Sequence, residues 1–352
     1  MKGSDIKQKT RPKKRVSFRD VARLAKVSTA TVSRVARGNA SVHESMERRI
    51  RDAATKLGLN LEDSRHDRLS TIAFLLCNRD VHHTFQSLVL LGAEDYCAAS
   101  DRELLFVSFR YPMSAPANRL HLPRAFERPD LVRGAILSGT NSAPMLELLR
   151  MRKIPFAVLG NNVIGEWTPE DYNSVFSDDV QGAFDLTNHL ISQGHRHIWF
   201  VGDLSMPWYA RCAQGYRDAM TGSGLEPRCS EIHANDQELG YLAMRMVLSR
   251  NQPVTAVFAG SDQIARGVYE ALRQANLDIP GDVSVAGFND TEAALFDPPL
   301  TSVREYPEQL GQHLAEFSMR ALKDPLEAPK QMTIPTKLVI RQSTAAPRKD
   351  SK

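Results

Sequence analysis

Residues 16–37, VSFRDVARLAKVSTATVSRVAR, read as two short helices joined by a tight turn. Ser17 is placed to cap the first helix, and Asp20 three residues later suits its positive end. Phe18, Val21, Ala22 and Ala25 recur at helical spacing and give one apolar face. Lys26 and Val27 make the turn, and Ser28 caps a second helix that turns Val32 and Val35 inward. Its outer side carries Thr29, Ala30, Thr31, Ser33, Arg34 and Arg37. These are small groups that let a backbone approach base edges, and guanidinium groups that hold phosphates. A third amphipathic helix near residues 44–57 adds Met46, Ile50, Ala53, Ala54 and Leu57 to complete a small core. A bundle that merely caps another domain would show the same apolar spacing, so charge has to decide.

Residues 1–60 contain 16 Lys+Arg against 5 Asp+Glu, a net of +11, whereas the rest of the chain holds 29 against 36, a net of −7. The overall +4 therefore hides a strongly basic head on an acidic body. A head of this kind displaces counterions from nucleic acid and gains salt-dependent affinity without sequence preference. The run KQKTRPKKR at 7–15 lacks apolar periodicity and contains Pro12, so residues 1–15 read as a disordered basic arm that touches phosphates.

The chain has 352 residues, 42% hydrophobic and 24% charged, which allows two or three domains with ample core. No apolar stretch approaches the roughly 20 residues of a membrane span, and no signal-peptide core follows the basic N-terminus. Cys77, Cys97, Cys212 and Cys229 are scattered without a C-x-x-C pair, as expected for reduced thiols in a cytoplasm.

From residue 71 short apolar runs alternate with helical stretches. TIAFLLC (71–77), LLFVSF (104–109), GAILSG (134–139) and PFAVLG (155–160) read as buried strands, with helices near 85–100 and 144–151. The rhythm restarts after Asp178 with HIWFVG (197–202), VTAVFAG (254–260) and VSVAGF (283–288), between helices near 180–193, 210–221 and 262–275. Two such sets predict two doubly wound lobes, with a ligand cleft between them at the carboxyl ends of the strands.

Four phrases carry a family resemblance: VARLAKVSTATVSRV (21–35), HLISQGHRHIWFVGD (189–203), FAGSDQIARGVYEALRQANLDIPGDVSVAGFND (258–290) and PPLTSVRE (298–305). Through them, residues 16 to about 344 resemble transcriptional regulators of the lactose-repressor (LacI/GalR) family. The resemblance implies an all-α helix-turn-helix head on an α/β, periplasmic-binding-protein-like core of two doubly wound lobes. The expected domains are a head at 16–60, a hinge at 61–70, a core at 71–345 and a tail at 346–352. Within the core, the N-lobe is expected near 71–172 and 306–331, the C-lobe near 173–305 and 332–345, and the crossing near Pro298 to Val303. The implied partner is double-stranded operator DNA, read by a homodimer on a palindrome in the cytoplasm at the nucleoid. By the resemblance Ser17, Ser28, Thr29, Ala30, Thr31, Ser33, Arg34 and Arg37 are the DNA-binding set. Thr29 and Ala30 discriminate bases, while Thr31 and Ser33 fix the backbone. The helix near Phe85 to Ser100 is expected at the dimer interface.

Two regions depart from the family pattern. The hinge normally reads Tyr-x-Pro-Asn-x-x-Ala-Arg-x-Leu, its Leu wedging into the minor groove. Here LNLEDSRHDRLS (59–70) is about four residues shorter, with Leu69 as the candidate wedge, and reads as a plain linker. In the cleft, Asn289 replaces an Asp, Cys212 an Arg (with Arg211 beside it), Ser261 an Asn, and Gly160-Asn161 falls where another Asp is expected. These changes weaken bidentate capture of vicinal hydroxyls. Asn161, Asn162, Arg211, Cys212, Ser261 and Asn289 are the effector candidates, for a sugar or related metabolite. A regulator answering to a protein partner, or to no effector, is the alternative.

His82-His83 and His195-Arg196-His197 lack the companions of a metal site, and GHRHI fits a surface loop leading into a strand. No G-x-S-x-G elbow, phosphate loop or dinucleotide fingerprint is present, so no cofactor, metal or enzymatic activity is expected. Trp167, Trp208 and Tyr209 are expected in loops near the cleft mouth, where an aromatic ring stacks on a sugar face or packs between lobes.

Overall fold

A computed structural model describes residues 17–36, 42–59, 71–128 and 131–348. The chain divides into two units, residues 1–70 and 71–352. The basic arm, Arg37, and the hinge with Leu69 lie outside the described residues.

The first unit holds α1 (Phe18–Ala25), α2 (Thr29–Ala36) and α3 (Glu44–Lys56). Val21, Ala22, Ala25, Val32, Val35, Ala36, Ile50, Ala53 and Ala54 are buried together, with Phe18, Met46 and Leu57 packed around them. Asp20 closes the start of α1, accepting from both the Ser17 N–H (2.9 Å) and its hydroxyl (2.7 Å). Lys26 ends the helix in the left-handed region at φ 52°. The Arg49 guanidinium reaches across from α3 and donates to the Ala25 carbonyl at 2.6 Å, satisfying one of the acceptors a helix end leaves open.

The second unit is built on two six-stranded sheets. The strands of the first are β1 (Thr71–Cys77), β2 (Leu104–Phe109), β3 (Val132–Gly139), β5 (Phe156–Leu159), β7 (Asn173–Ser177) and β13 (Gln331–Ile334), in the order β13-β7-β5-β3-β1-β2. All its pairings are parallel. A short parallel pair, β4 (Asn141–Ser142) with β6 (Val163–Ile164), flanks it. The second sheet comprises β8 (Ile198–Val201), β9 (Arg228–Cys229), β10 (Ala256–Ala259), β11 (Ser284–Asn289), β12 (Thr301–Arg304) and β14 (Lys337–Val339), in the order β14-β12-β11-β10-β8-β9. Only β14 runs antiparallel to its neighbour.

Every residue of β1 is buried, because helices cover both faces of its sheet. Ile72, Phe74 and Leu76 face α4 (Thr84–Ala99) and α10 (Pro307–Lys323), whereas Ala73, Leu75 and Cys77 join the core beneath α5 (Ala143–Met151). The second sheet is packed by α6 (Asp179–Ser192), α7 (Pro207–Gly222), α8 (Asp236–Ser249) and α9 (Asp262–Gln274). Each fully buried Leu, Ile or Phe contributes about 1.5–3 kcal/mol. Among the described residues no helix is long and apolar enough to cross a membrane.

Several expectations need correction. β7 pairs with β5 and β13, so residues 173–177 and 331–334 belong to the N-lobe; the C-lobe begins at α6 and resumes at β14. Pro298 to Val303 is not the crossing, since β12 still pairs with β11. The chain crosses after Ser177, around Glu305 and Tyr306, and between β13 and β14. Trp208 and Tyr209 lie in the first turn of α7, not in a loop. Trp167 packs on Tyr172 and Phe176 within the N-lobe. His195 is 1% exposed and faces Thr255 and the Ala345 carbonyl, because it ties the C-terminal segment to the sheet.

Candidate DNA-reading helix and interlobe cleft

The DNA candidates gather on one side of α2. Ser28 starts the helix, its hydroxyl accepting from the Thr31 N–H at 3.1 Å and lying 2.8 Å from the Thr31 hydroxyl. Ser28, Thr29, Ala30 and Arg34 are exposed and Thr31 and Ser33 half-buried, while Val32, Val35 and Ala36 are buried opposite. Positions 30, 33 and 34 follow the three- and four-residue spacing of a single helix face. Thr31 and Ser28 hold each other, which fixes the first turn and leaves Thr29 and Ala30 foremost. Ser17 is occupied with Asp20 and serves the start of α1.

A cavity lies between the lobes where the strands end, the usual place for a ligand in doubly wound sheets. The N-lobe contributes Arg79 and His83 from the loop after β1, Phe85 and Gln86 from α4, and Leu159, Asn161, Asn162 and Ser177 from β5, β7 and the turn after β5. The C-lobe contributes Asp179, Trp208, Tyr209, Cys212, Gly260, Phe288 and Asn289, and Glu305 sits on the crossing.

The expected cleft residues divide by what their polar atoms already do. Asn161, Asn162, Cys212 and Asn289 line the cavity. Asn161 is nevertheless committed to the protein. Its amide donates to the Ser177 carbonyl (2.9 Å) and to Asp179 (2.7 Å), and its oxygen accepts from the Ser177 N–H (2.8 Å). Arg211 and Ser261 stand behind the wall. Arg211 holds Asp179 through two nitrogens at 3.0 and 2.8 Å. Ser261 caps α9, accepting from the Ile264 N–H at 3.1 Å. Burial pushes the Cys212 thiol well up, so it presents a neutral, weakly polar surface.

Sequence reasoning passed over Arg79, His83, Phe85, Gln86, Ser177, Asp179, Phe288 and Glu305, which come from four separate stretches of chain. The one available signal was position: most follow a strand's carboxyl end. Asp236 lies behind Arg79 and His83, at 3.9 and 3.4 Å. Burial raises its carboxyl, but the His83 bond and the Arg79 charge outweigh this and hold it below the ordinary range. The Arg79 guanidinium also lies 4.9 Å over the Trp208 ring. Asp179 is pushed up by burial against the pull of Arg211. Glu305, 6% exposed, is raised to about 7 by burial and by the charge of Asp179; the Asn289 hydrogen bond and Arg211 only partly oppose this. The Asn289 amide donates to Glu305 from a backbone at φ 93°, a conformation a non-glycine residue keeps only when its surroundings enforce it. The lobes also meet at the cleft edge, where the Thr84 hydroxyl donates to Glu292 at 2.6 Å.

Comparison with known proteins agrees with both halves of this architecture. The model for bacterial regulatory proteins of the lacI family matches residues 17–59, and that for a periplasmic binding protein-like domain matches residues 187–344. The HTH-type transcriptional regulator RegA of Clostridium saccharobutylicum is 30% identical over 342 residues, spanning 93% of this chain and 99% of RegA. The HTH-type transcriptional regulator CelR of Thermobifida fusca is 29% identical over 343 residues, spanning 94% and 99%. A solved complex of a transcriptional regulator CelR with cellobiose matches at a TM-score of 0.68 and 26% identity, covering 94% of this chain and all of the other. A groove-reading helical head, a two-lobed core with a cleft, and relatives matched along nearly their whole length lead to one conclusion: this chain belongs to the LacI family of bacterial DNA-binding transcriptional regulators.

Proposed function

We propose that the protein is a cytoplasmic repressor, not an enzyme, that binds a palindromic operator as a homodimer and changes operator affinity when a small polar metabolite occupies the interlobe cleft. The observation that carries the DNA reading is the face of α2 formed by exposed Thr29, Ala30 and Arg34 with half-buried Ser33, opposite a closed core, in a segment of net +11. One such helix reads only a few base pairs, so a two-fold dimer is the economical route to specificity. The exposed Leu91 on α4 and Phe106 on edge strand β2 support the N-lobe as the dimerising surface.

The cleft supports control by a ligand. Its walls combine aromatic rings with a few convergent polar groups. The chain passes between lobes beside it, so a ligand that prefers one lobe arrangement shifts the population by its differential affinity. A sugar is the favoured class, since a related regulator is solved with cellobiose. Operator selection from random duplexes should yield a palindrome. Arg34→Ala should then reduce binding to it by tenfold or more (about 1.4 kcal/mol or more) without altering the dimer in analytical ultracentrifugation. Unaltered operator binding by this variant would refute the assignment of α2.

A further inference from the structure

The cleft contains charge that its own walls do not balance. Arg79 faces Asp236, and Arg211 holds Asp179 through two nitrogens. Glu305 remains, and among the described residues the side chain that hydrogen-bonds it is neutral, the Asn289 amide. The charge of Asp179 repels it, while Arg211, which opposes this in part, is turned to that same Asp179. The Cys212 thiol beside them is neutral. A carboxylate so buried, with the Arg211 charge already paired to Asp179, destabilises the protein unless it takes a proton or meets a further cation.

The surroundings of Glu305 indicate what the cation would be attached to. Phe85, Trp208, Tyr209 and Phe288 line the same cavity. Such walls suit a ring and also attract positive charge through their π faces. A neutral polyol would leave the imbalance at Glu305 as it is; a protonated amine on the ring would remove it. Resting on the reading of the cleft as an effector site, we propose that the effector is a small cyclic molecule bearing a cationic amino group, such as an amino sugar, and that Glu305 receives that group.

The location of Glu305 gives this contact leverage. It follows β12 of the C-lobe directly, and the next residue, Tyr306, takes a left-handed turn (φ 55°) into α10 of the N-lobe. An ammonium held by Glu305 is thus held at a crossing between the lobes.

The test uses the full-length protein and matched pairs: glucosamine with glucose, galactosamine with galactose, and mannosamine with mannose, each by calorimetry at pH 7.5. At least one amine should bind roughly tenfold or more tightly than its hydroxyl partner, and Glu305→Gln should abolish that preference while Glu305→Asp keeps part of it. A ligand-free measurement accompanies this. Because the carboxyl is raised from 4.5 to about 7, the folded state keeps its proton longer than the unfolded chain, and wild type loses stability as pH rises across that interval. Glu305→Gln removes the charge, so its Tm should exceed that of wild type by a few degrees at pH 8 and differ little at pH 4.5. Binding of neutral sugars alone overturns the amine assignment and leaves effector control standing. Failure of every amine to bind, or a Tm at pH 8 that Glu305→Gln lowers, also overturns it.

Discussion

Asn161 and Arg211 show how a residue of the expected type in the expected place can still do different work. Both read as ligand-holding groups, yet the Asn161 amide is saturated by Ser177 and Asp179, and Arg211 neutralises a carboxylate that is 2% exposed. Asp179 is the reason, and nothing local to Arg211 announces it, because 32 residues separate the two. Removing one partner of a buried pair costs about 3–5 kcal/mol. Arg211→Ala should therefore lower the chemical-denaturation midpoint strongly, and the added substitution Asp179→Asn should recover part of the loss. His195 makes a similar point elsewhere in the C-lobe. Burial holds its ring below the ordinary imidazole range, outweighing the bond to the Ala345 carbonyl. The unfolded chain consequently takes the proton first as pH falls, and the stability contributed by the neutral ring is lost below about 6.5. Between pH 7.5 and 5.5, wild type should lose more Tm than His195→Gln; parallel curves would sink this reading.

The helices and strands were the more legible part. LLFVSF occupies residues 104–109 as read, and the three helices of the head fall where apolar spacing placed them. The pattern did not separate β7 from the C-lobe, because a five-residue strand looks the same whichever sheet it joins. Nor did it mark α8 or α10, although α10 carries the closest helix contact of the N-lobe. Gly92 of α4 and Gly311 of α10 let the two helices meet backbone to backbone: a Cβ on Gly92 would lie 1.9 Å from the Glu308 carbonyl oxygen, and one on Gly311 2.0 Å from that of Val89. Neither obstacle is a side chain that can swing aside. Gly311→Ala should cost about 1–3 kcal/mol by overpacking, seen as a lower denaturation midpoint. A neutral result would mean that the helices separate freely.

The whole molecule joins a well-conforming head to a body whose controls depart from the family pattern. The hinge, LNLEDSRHDRLS, lies outside the described residues and remains a proposal: a linker that bends the operator little. In a permuted-site mobility assay the complex should show a weak bend that Leu69→Ala leaves unchanged; a strong bend abolished by that substitution would establish a wedge. Local order alone defined the head, because its core is made of neighbours within some forty residues and its reading face follows from one helical period. It also defined the alternation of strands and helices that makes two lobes, since a strand buried on both sides must be continuously apolar. The cleft is different in kind. Its charge balance depends on which distant groups meet once the chain has folded: Arg79 with Asp236, Arg211 with Asp179, and Glu305 with only a share of the Arg211 charge. Electrostatic interaction is set by distance through space and by burial, and neither quantity is written along the chain.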